Sequence, residues 1–190
     1  IEAAGITIMG GGTITLPNDP AQIRKDFEYA KNAGFPLIFI SPDPGALGAI
    51  EQTAKEFDIK AAIHNHGPTD KNFPSPLDAL KAVQDRDSRM GICIDVGHTV
   101  RIAVDPIECI HKCASRLYDF HIKDVTAATA KGTTIAMGSG VIDLVAVAKA
   151  LLEIKFPYHV ALEYEADAGA PMPGILASYA YMRKVLAEIK

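Results

Sequence analysis

Apolar residues along this chain gather into short solid runs, separated by stretches in which they recur every three or four positions. Leu37 to Ile40, Ala61 to Ile63, Gly91 to Ile94, Leu117 to Phe120 and His159 to Leu162 are runs of strand length. Unbroken runs of this kind fit strands buried on both faces, as a parallel sheet requires. A further strand is expected at Ile6 to Met9, loosened at its end by Gly10-Gly11-Gly12 and continuing toward Thr15. Between the runs lie helical patterns. The first begins at Asn18-Asp19-Pro20, carries Ile23, Phe27, Ala30 and Ala33, and stops at Gly34 with Pro36 beyond. Others cover about 46–57, 142–154 and 174–189, while Ser75-Pro76-Leu77-Asp78 and Asp105-Pro106-Ile107-Glu108 each join a capping side chain to a first-position proline.

This alternation gives six βα units in an α/β chain with a parallel sheet, with no linker, repeat or low-complexity tract. Residues 1–190 read as one domain. An eight-unit (β/α)8 barrel needs about 250 residues, so the shortfall corresponds to two units. Ile1 to Gly5 reads as the last turn of a helix with a glycine stop. The expectation is therefore a barrel whose N-terminal part, with any targeting segment, is missing. An open doubly wound sheet is the rival, but Gly10-Gly11-Gly12 does not match its phosphate-binding fingerprint.

Composition narrows the function classes. With 48% hydrophobic and 22% charged residues the chain is an ordinary globular sequence. A net charge of −4 and the lack of a Lys/Arg run argue against nucleic acid as a partner. No apolar stretch approaches the roughly 20 residues of a membrane span. Cys93, Cys109 and Cys113 form no CxxC pair; an odd, sparse set reads as buried thiols and favours a reducing, cytoplasmic compartment.

Chemistry enters at the ends of four runs, spaced by roughly 25 to 40 residues, room for a helix in each interval. They deliver His64-Asn65-His66, Asp95 with His98, His121 with Lys123 and Asp124, and Glu163 with Glu165. Parallel neighbours would bring all four ends to one C-terminal rim, where α/β barrels keep their chemistry. His64, Asp95, His121 and Glu163 are the candidate ligands of a divalent metal, with Mn²⁺, Mg²⁺, Zn²⁺ and Co²⁺ all compatible with N/O ligands. Asp95 alternatively caps a helix or forms a salt bridge. His66 is a weaker ligand candidate, and His64, Asn65 and His66 also suit recognition of sugar hydroxyls. His98, in the loop after Asp95, binds substrate or orients Asp95. Lys123 faces an anionic or carbonyl oxygen, or pairs with Asp124. Glu163 is ligand and base, with Glu165 beside it in a supporting contact. Gly138-Ser139-Gly140 is either a phosphate cradle of backbone N–H groups or a flexible loop.

The segments I-H-N-H-G-P (63–68), C-I-D-V-G-H-T (93–99), F-H-I-K-D (120–124) and A-L-E-Y-E (161–165) resemble the xylose-isomerase-like sugar phosphate isomerase/epimerase family. The resemblance implies a TIM barrel of which this chain supplies the third to eighth βα units. It also implies a metal held by Glu, Asp, His and Glu, the last three matched by Asp95, His121 and Glu163. His64 stands where the family has its first Glu. Since both glutamates serve as acid/base groups in the epimerases of that family, only Glu163 remains here for two-carboxylate chemistry. The resulting expectation is a divalent-metal-dependent isomerase or epimerase acting on a sugar, keto-sugar or sugar phosphate through an enediolate. Glu163, His64, His98 and Lys123 are its catalytic candidates. The alternatives are a metal-assisted lyase or hydrolase of an oxidised glycoside, and a non-catalytic sugar-binding barrel. A small-molecule sugar is the expected partner, and homo-oligomerisation would cover open strand edges.

Overall fold

Strand runs β1 (Gly11–Leu16), β2 (Leu37–Pro42), β3 (Lys60–His64), β4 (Met90–Asp95), β5 (Leu117–Ile122) and β8 (Val160–Leu162) pair in parallel, in sequence order. In the computed structural model, which describes residues 2–189, they form a curled half-barrel. Helices α1 (Pro20–Ala33), α2 (Leu47–Phe57), α3 (Pro76–Val83), α5 (Pro106–Cys113), α6 (Leu144–Glu153) and α7 (Met172–Glu188) alternate with these strands. Their starts follow the sequence signals. Asp19, Ser75 and Asp105 each accept a backbone N–H at the first turn of α1, α3 and α5, with proline at the first position. Gly34 closes α1 in the left-handed conformation at φ 74°.

Side-chain alternation along the strands builds two separate packings. Leu16, Ile38, Ile40, Ala61, Ile63, Ile92, Ile94 and Phe120 pack outward against Phe27, Ile50, Ala79, Cys109 and Leu144 of the helices. Leu37, Phe39, Ala62, Cys93 and Tyr118 form a smaller inner cluster. The inner face leads to the C-terminal rim, where Phe39 stands edge-on to the His121 ring at 5.3 Å. All three cysteines are buried free thiols.

The first strand departs from expectation. It starts at Gly11 rather than Ile6, and Ile6 and Met9 are exposed. The glycines belong to the pairing itself. A Cβ at position 11 would lie 2.3 Å from the Phe35 ring, and one at position 12 would lie 2.4 Å from the Phe39 carbonyl oxygen. At Gly12 close approach to the β2 backbone selects glycine, whereas at Gly11 the Phe35 ring just before β2 fills the space, and strand pairing rather than hydrophobicity sets the boundary. At the N-terminus, Glu2–Ala4 form a 3-10 turn ended by Gly5 at φ 66°, while Ile1 lies outside the described residues.

Two further elements are absent from the sequence pattern. A short helix α4 (Val96–Arg101) follows β4 directly, and a ribbon pairs β6 (Asp124–Val125) with β7 (Thr134–Ile135) antiparallel. Two-residue strands are too short to carry a period. Among the described residues no helix is long and apolar enough to cross a membrane.

Candidate metal centre

Each functional side chain is delivered by a strand register. His64 pairs across with Cys93, two residues before Asp95, and Asp95 pairs with His121, so β3, β4 and β5 end in a stagger on the same C-terminal rim. Glu163 follows β8 and is tied down by its N–H donating to the Ile122 carbonyl at 3.0 Å. His64, Asp95, His121 and Glu163 thereby meet, with one ligand atom from each lying within 4.8 Å of all the others.

The distances suit a shared cation. His64 Nε2 lies 3.0 Å from His121 Nδ1, 3.6 Å from Glu163 Oε2 and 3.7 Å from Asp95 Oδ2. His121 Nδ1 is 2.9 Å from Glu163 Oε2. Donor atoms around an ion bound at about 2.1 Å sit about 3.0 to 3.5 Å apart, close to the 2.9 to 3.7 Å found between these atoms. Asp95 is fully buried, and its Oδ2 makes no hydrogen bond of acceptable geometry, although Lys123 Nζ lies 2.9 Å away. An acceptor left in that state is costly, and a cation would satisfy it. The donor set therefore fits a divalent metal. One feature runs the other way: His64 Nδ1 is buried without a partner, whereas ligating imidazoles usually donate from their second nitrogen.

Asp95 combines two of the roles open to it. Its Oδ1 caps α4 by accepting the His98 N–H at 2.7 Å, while Oδ2 faces the cluster. Burial, reinforced by Glu163, pushes its carboxyl up to about 8. Burial also acts to raise Glu163, but hydrogen bonds from His121, His64 and Asp95, together with the Lys123 charge, outweigh it and hold Glu163 ionised.

Lys123 is not paired with Asp124. Its ammonium, 2% exposed, lies 2.9 Å from Asp95 Oδ2, 3.2 Å from Glu163 Oε2 and 2.5 Å from Glu165 Oε2. Burial disfavours its charge, but the surrounding carboxylates win and raise it. Asp124 instead accepts backbone N–H groups from Gly138, Gly140 and Ile142. This disposes of the phosphate-cradle reading of Gly138-Ser139-Gly140: two of its N–H groups already serve an internal carboxylate, and the loop is pinned.

His98 sits on α4 rather than in a loop, its ring 6.0 Å from that of His64. Burial, then the Lys123 charge, lowers it to about 3, so it is a neutral imidazole beside the cluster. The His66 ring lies 4.5 Å from that of His64, tilted by 57°, and is likewise lowered by burial.

Three residues carry more than the sequence indicated. Asn65 turns inward: its Oδ1 accepts the Asp95 N–H at 2.9 Å and its Nδ2 donates to Thr99 Oγ1 at 3.2 Å, so its amide is not free for sugar hydroxyls. Cys93 forms a second metal-capable group with His64 and His121, although burial keeps its thiol protonated. Its place two residues before Asp95, on the same strand face, was a legible signal. Asp119 is fully buried in the middle of an apolar run, with Oδ2 unpartnered and its carboxyl pushed up by burial.

Comparison with known proteins agrees with this architecture. A family model described as xylose isomerase-like TIM barrel matches residues 45–185. The chain is 26% identical over 145 residues to an inosose dehydratase of Geobacillus kaustophilus, covering 68% of this chain and 46% of that protein. It thus spans about half the length of the curated relative it matches. The crystal structure of the E. coli 3-keto-D-glucoside 4-epimerase YcjR superposes with a TM-score of 0.77 at 18% identity, covering 96% of this chain and 81% of that one. That of an IolI protein with a bound zinc atom gives 0.75 at 18%, covering 88% and 69%. At such identity the two structural likenesses speak for the fold.

Proposed function

The chain belongs to the xylose isomerase-like TIM-barrel family, and from that premise we propose that it is part of a divalent-metal-dependent isomerase or epimerase acting on a sugar or keto-sugar. The observation that carries the reading is the convergence of two imidazoles and two carboxylates, one ligand atom each, in a largely buried cluster. Bound there, a divalent ion would supply Lewis acidity, polarising a carbonyl and lowering the cost of negative charge on its oxygen. The zinc bound by the IolI protein supports a transition metal as the occupant.

The chain's own residues would then divide the work. His64, Asp95, His121 and Glu163 hold the ion. Glu163, kept ionised and partly open to the rim, also takes a proton from carbon next to the substrate carbonyl. His64 and His98 are the candidates for the second acid/base group; His98, neutral near pH 7, can accept a hydrogen bond from a hydroxyl or pass a proton. Lys123 stabilises the anionic oxygen that develops. Return of the proton to the neighbouring carbon, with the hydroxyl proton passed between the two oxygens, gives isomerisation; protonation of the original carbon on its other face by a second group, His64 or His98, with Glu163 keeping the proton it took, gives epimerisation.

Elimination is the second reading. A dehydratase relative and the presence of a single acid/base carboxylate favour it, since losing water or an alkoxide after deprotonation needs one base only. Keto-sugars incubated with the Mn²⁺-loaded protein separate the outcomes by product mass. An isobaric product supports isomerase or epimerase action, and loss of water or an aglycone supports lyase action. Turnover unaffected by a chelator would refute both.

A further inference from the structure

Lys123 occupies the same carboxylates that a divalent ion would need. Its ammonium contacts Asp95 Oδ2 and Glu163 Oε2, and these oxygens also belong to the four-residue cluster. Its stem is fixed from below. A Cβ at position 97 would lie 2.6 Å from Lys123 Cγ and Cδ, so the absent side chain of Gly97 is what leaves room for the lysine to reach the cluster. The head has one further seat. Glu165 Oε2, on a side chain that is 51% exposed, receives Lys123 at 2.5 Å.

We propose that Lys123 is an internal counter-cation that competes with the divalent metal for Asp95 and Glu163, and that Glu165 is the seat toward which its ammonium withdraws when the metal binds. The inference rests on the metal reading above and adds a determinant of affinity to it. Two like charges cannot share the same pair of oxygens without repulsion in a buried setting. A lysine stem pinned at Gly97 with a movable head resolves this by shifting toward Glu165. Without the ion, Lys123 neutralises the buried carboxylates and keeps the centre from being an uncompensated acidic pair. Lys123 is a positioning residue in this role, and Glu165 sets the balance.

Calorimetric titration of Mn²⁺ and Zn²⁺ into the purified apo-protein, with folding checked by circular dichroism, tests the inference without reference to turnover. Lys123→Met removes the competing cation, so divalent binding tightens by about 10-fold or more. Glu165→Gln weakens the withdrawal seat at a half-exposed position, so binding loosens by about 2- to 5-fold. Opposite signs are the signature, because a merely structural role for the pair would weaken binding in both variants. If Lys123→Met does not fold, Glu165→Gln decides: looser binding supports the proposal, and unchanged or tighter binding overturns it. Wild-type binding with a Lys123→Met affinity equal to or below it overturns the proposal alone. No binding by wild type or either variant overturns the metal reading and the proposal together. Binding by Lys123→Met only is the extreme form of the expected result.

Discussion

Asp95 shows how much one side chain can be asked to do at the end of a strand. One oxygen caps α4 through the His98 N–H, and the other faces His64 and Lys123. Asp95→Asn keeps the cap acceptor and removes the anionic ligand. Divalent affinity is therefore expected to fall at least about 100-fold with the fold retained, and elemental analysis or calorimetry checks it. Unchanged affinity would remove Asp95 from the centre. Asn65 acts one step behind. Its amide fixes the Asp95 backbone and meets Thr99. Asn65→Leu leaves the buried Asp95 N–H without a partner, while the Thr99 hydroxyl keeps its bond to the Asp95 carbonyl, and should cost about 1 to 3 kcal/mol in chemical denaturation. The four candidate ligands were legible because each ends an apolar run. Asn65's inward turn was not, since an amide at a strand end has the same sequence appearance whether it faces substrate or backbone.

At the scale of elements, short polar contacts fix the connections that hydrophobic patterning leaves open. Asp124 gathers the N–H groups of Gly138, Gly140 and Ile142 and so holds the loop between the β6–β7 ribbon and α6. Asp124→Ala should cost about 3 kcal/mol, and amide exchange across 136–142 should speed up selectively; uniform protection there would count against the assignment. Glu51, on α2, ties that helix to the turn before β4 by accepting from Asp87 N and Arg86 Nη1, each at 2.9 Å. The Asp87 N–H, then Arg86, hold its carboxyl below the usual range against the opposing effect of burial. The sign follows from linkage. A depressed folded-state value contributes stability above the unfolded value of about 4.3 and loses it as pH falls through the folded one. The stability gap between wild type and Glu51→Gln, about 1 kcal/mol near pH 7, should therefore close on acidification below about pH 4. A gap that does not narrow on acidification would contradict this account. None of these ties has a period, which is why the helices could be read from the sequence and their anchoring could not.

Across the whole molecule, six parallel strands curl without closing, and β1 and β8 stand at the two edges. Unpaired strand edges are templates for pairing with other chains. Exposed Val160, Leu152, Tyr179 and Leu186 add apolar surface on the β8 side. The 190-residue chain is accordingly expected to self-associate with rising concentration, above its monomer mass of 20.3 kDa; light scattering that reports only monomer at high concentration would refute this. The same arrangement explains the first-strand discrepancy. Hydrophobicity places the first strand at Ile6 to Met9, but pairing with β2 begins at Gly11, and at Gly12 a Cβ would lie 2.4 Å from the Phe39 carbonyl oxygen.

By itself the sequence determined the βα alternation, the helix starts, the buried thiols and the four residues that end adjacent runs. These follow from local rules: residue period, capping chemistry and the expense of leaving an acid or imidazole next to an apolar core. Only the tertiary structure decided which of those groups touch. It joined Lys123 to Asp95, Glu163 and Glu165 rather than to its neighbour Asp124, and gave Asp124 to a loop that begins 14 residues further on. The physical reason is that pairing among polar groups at a strand rim depends on register and curl. Those are set by contacts between distant segments, and a one-dimensional pattern carries no record of the distances between them.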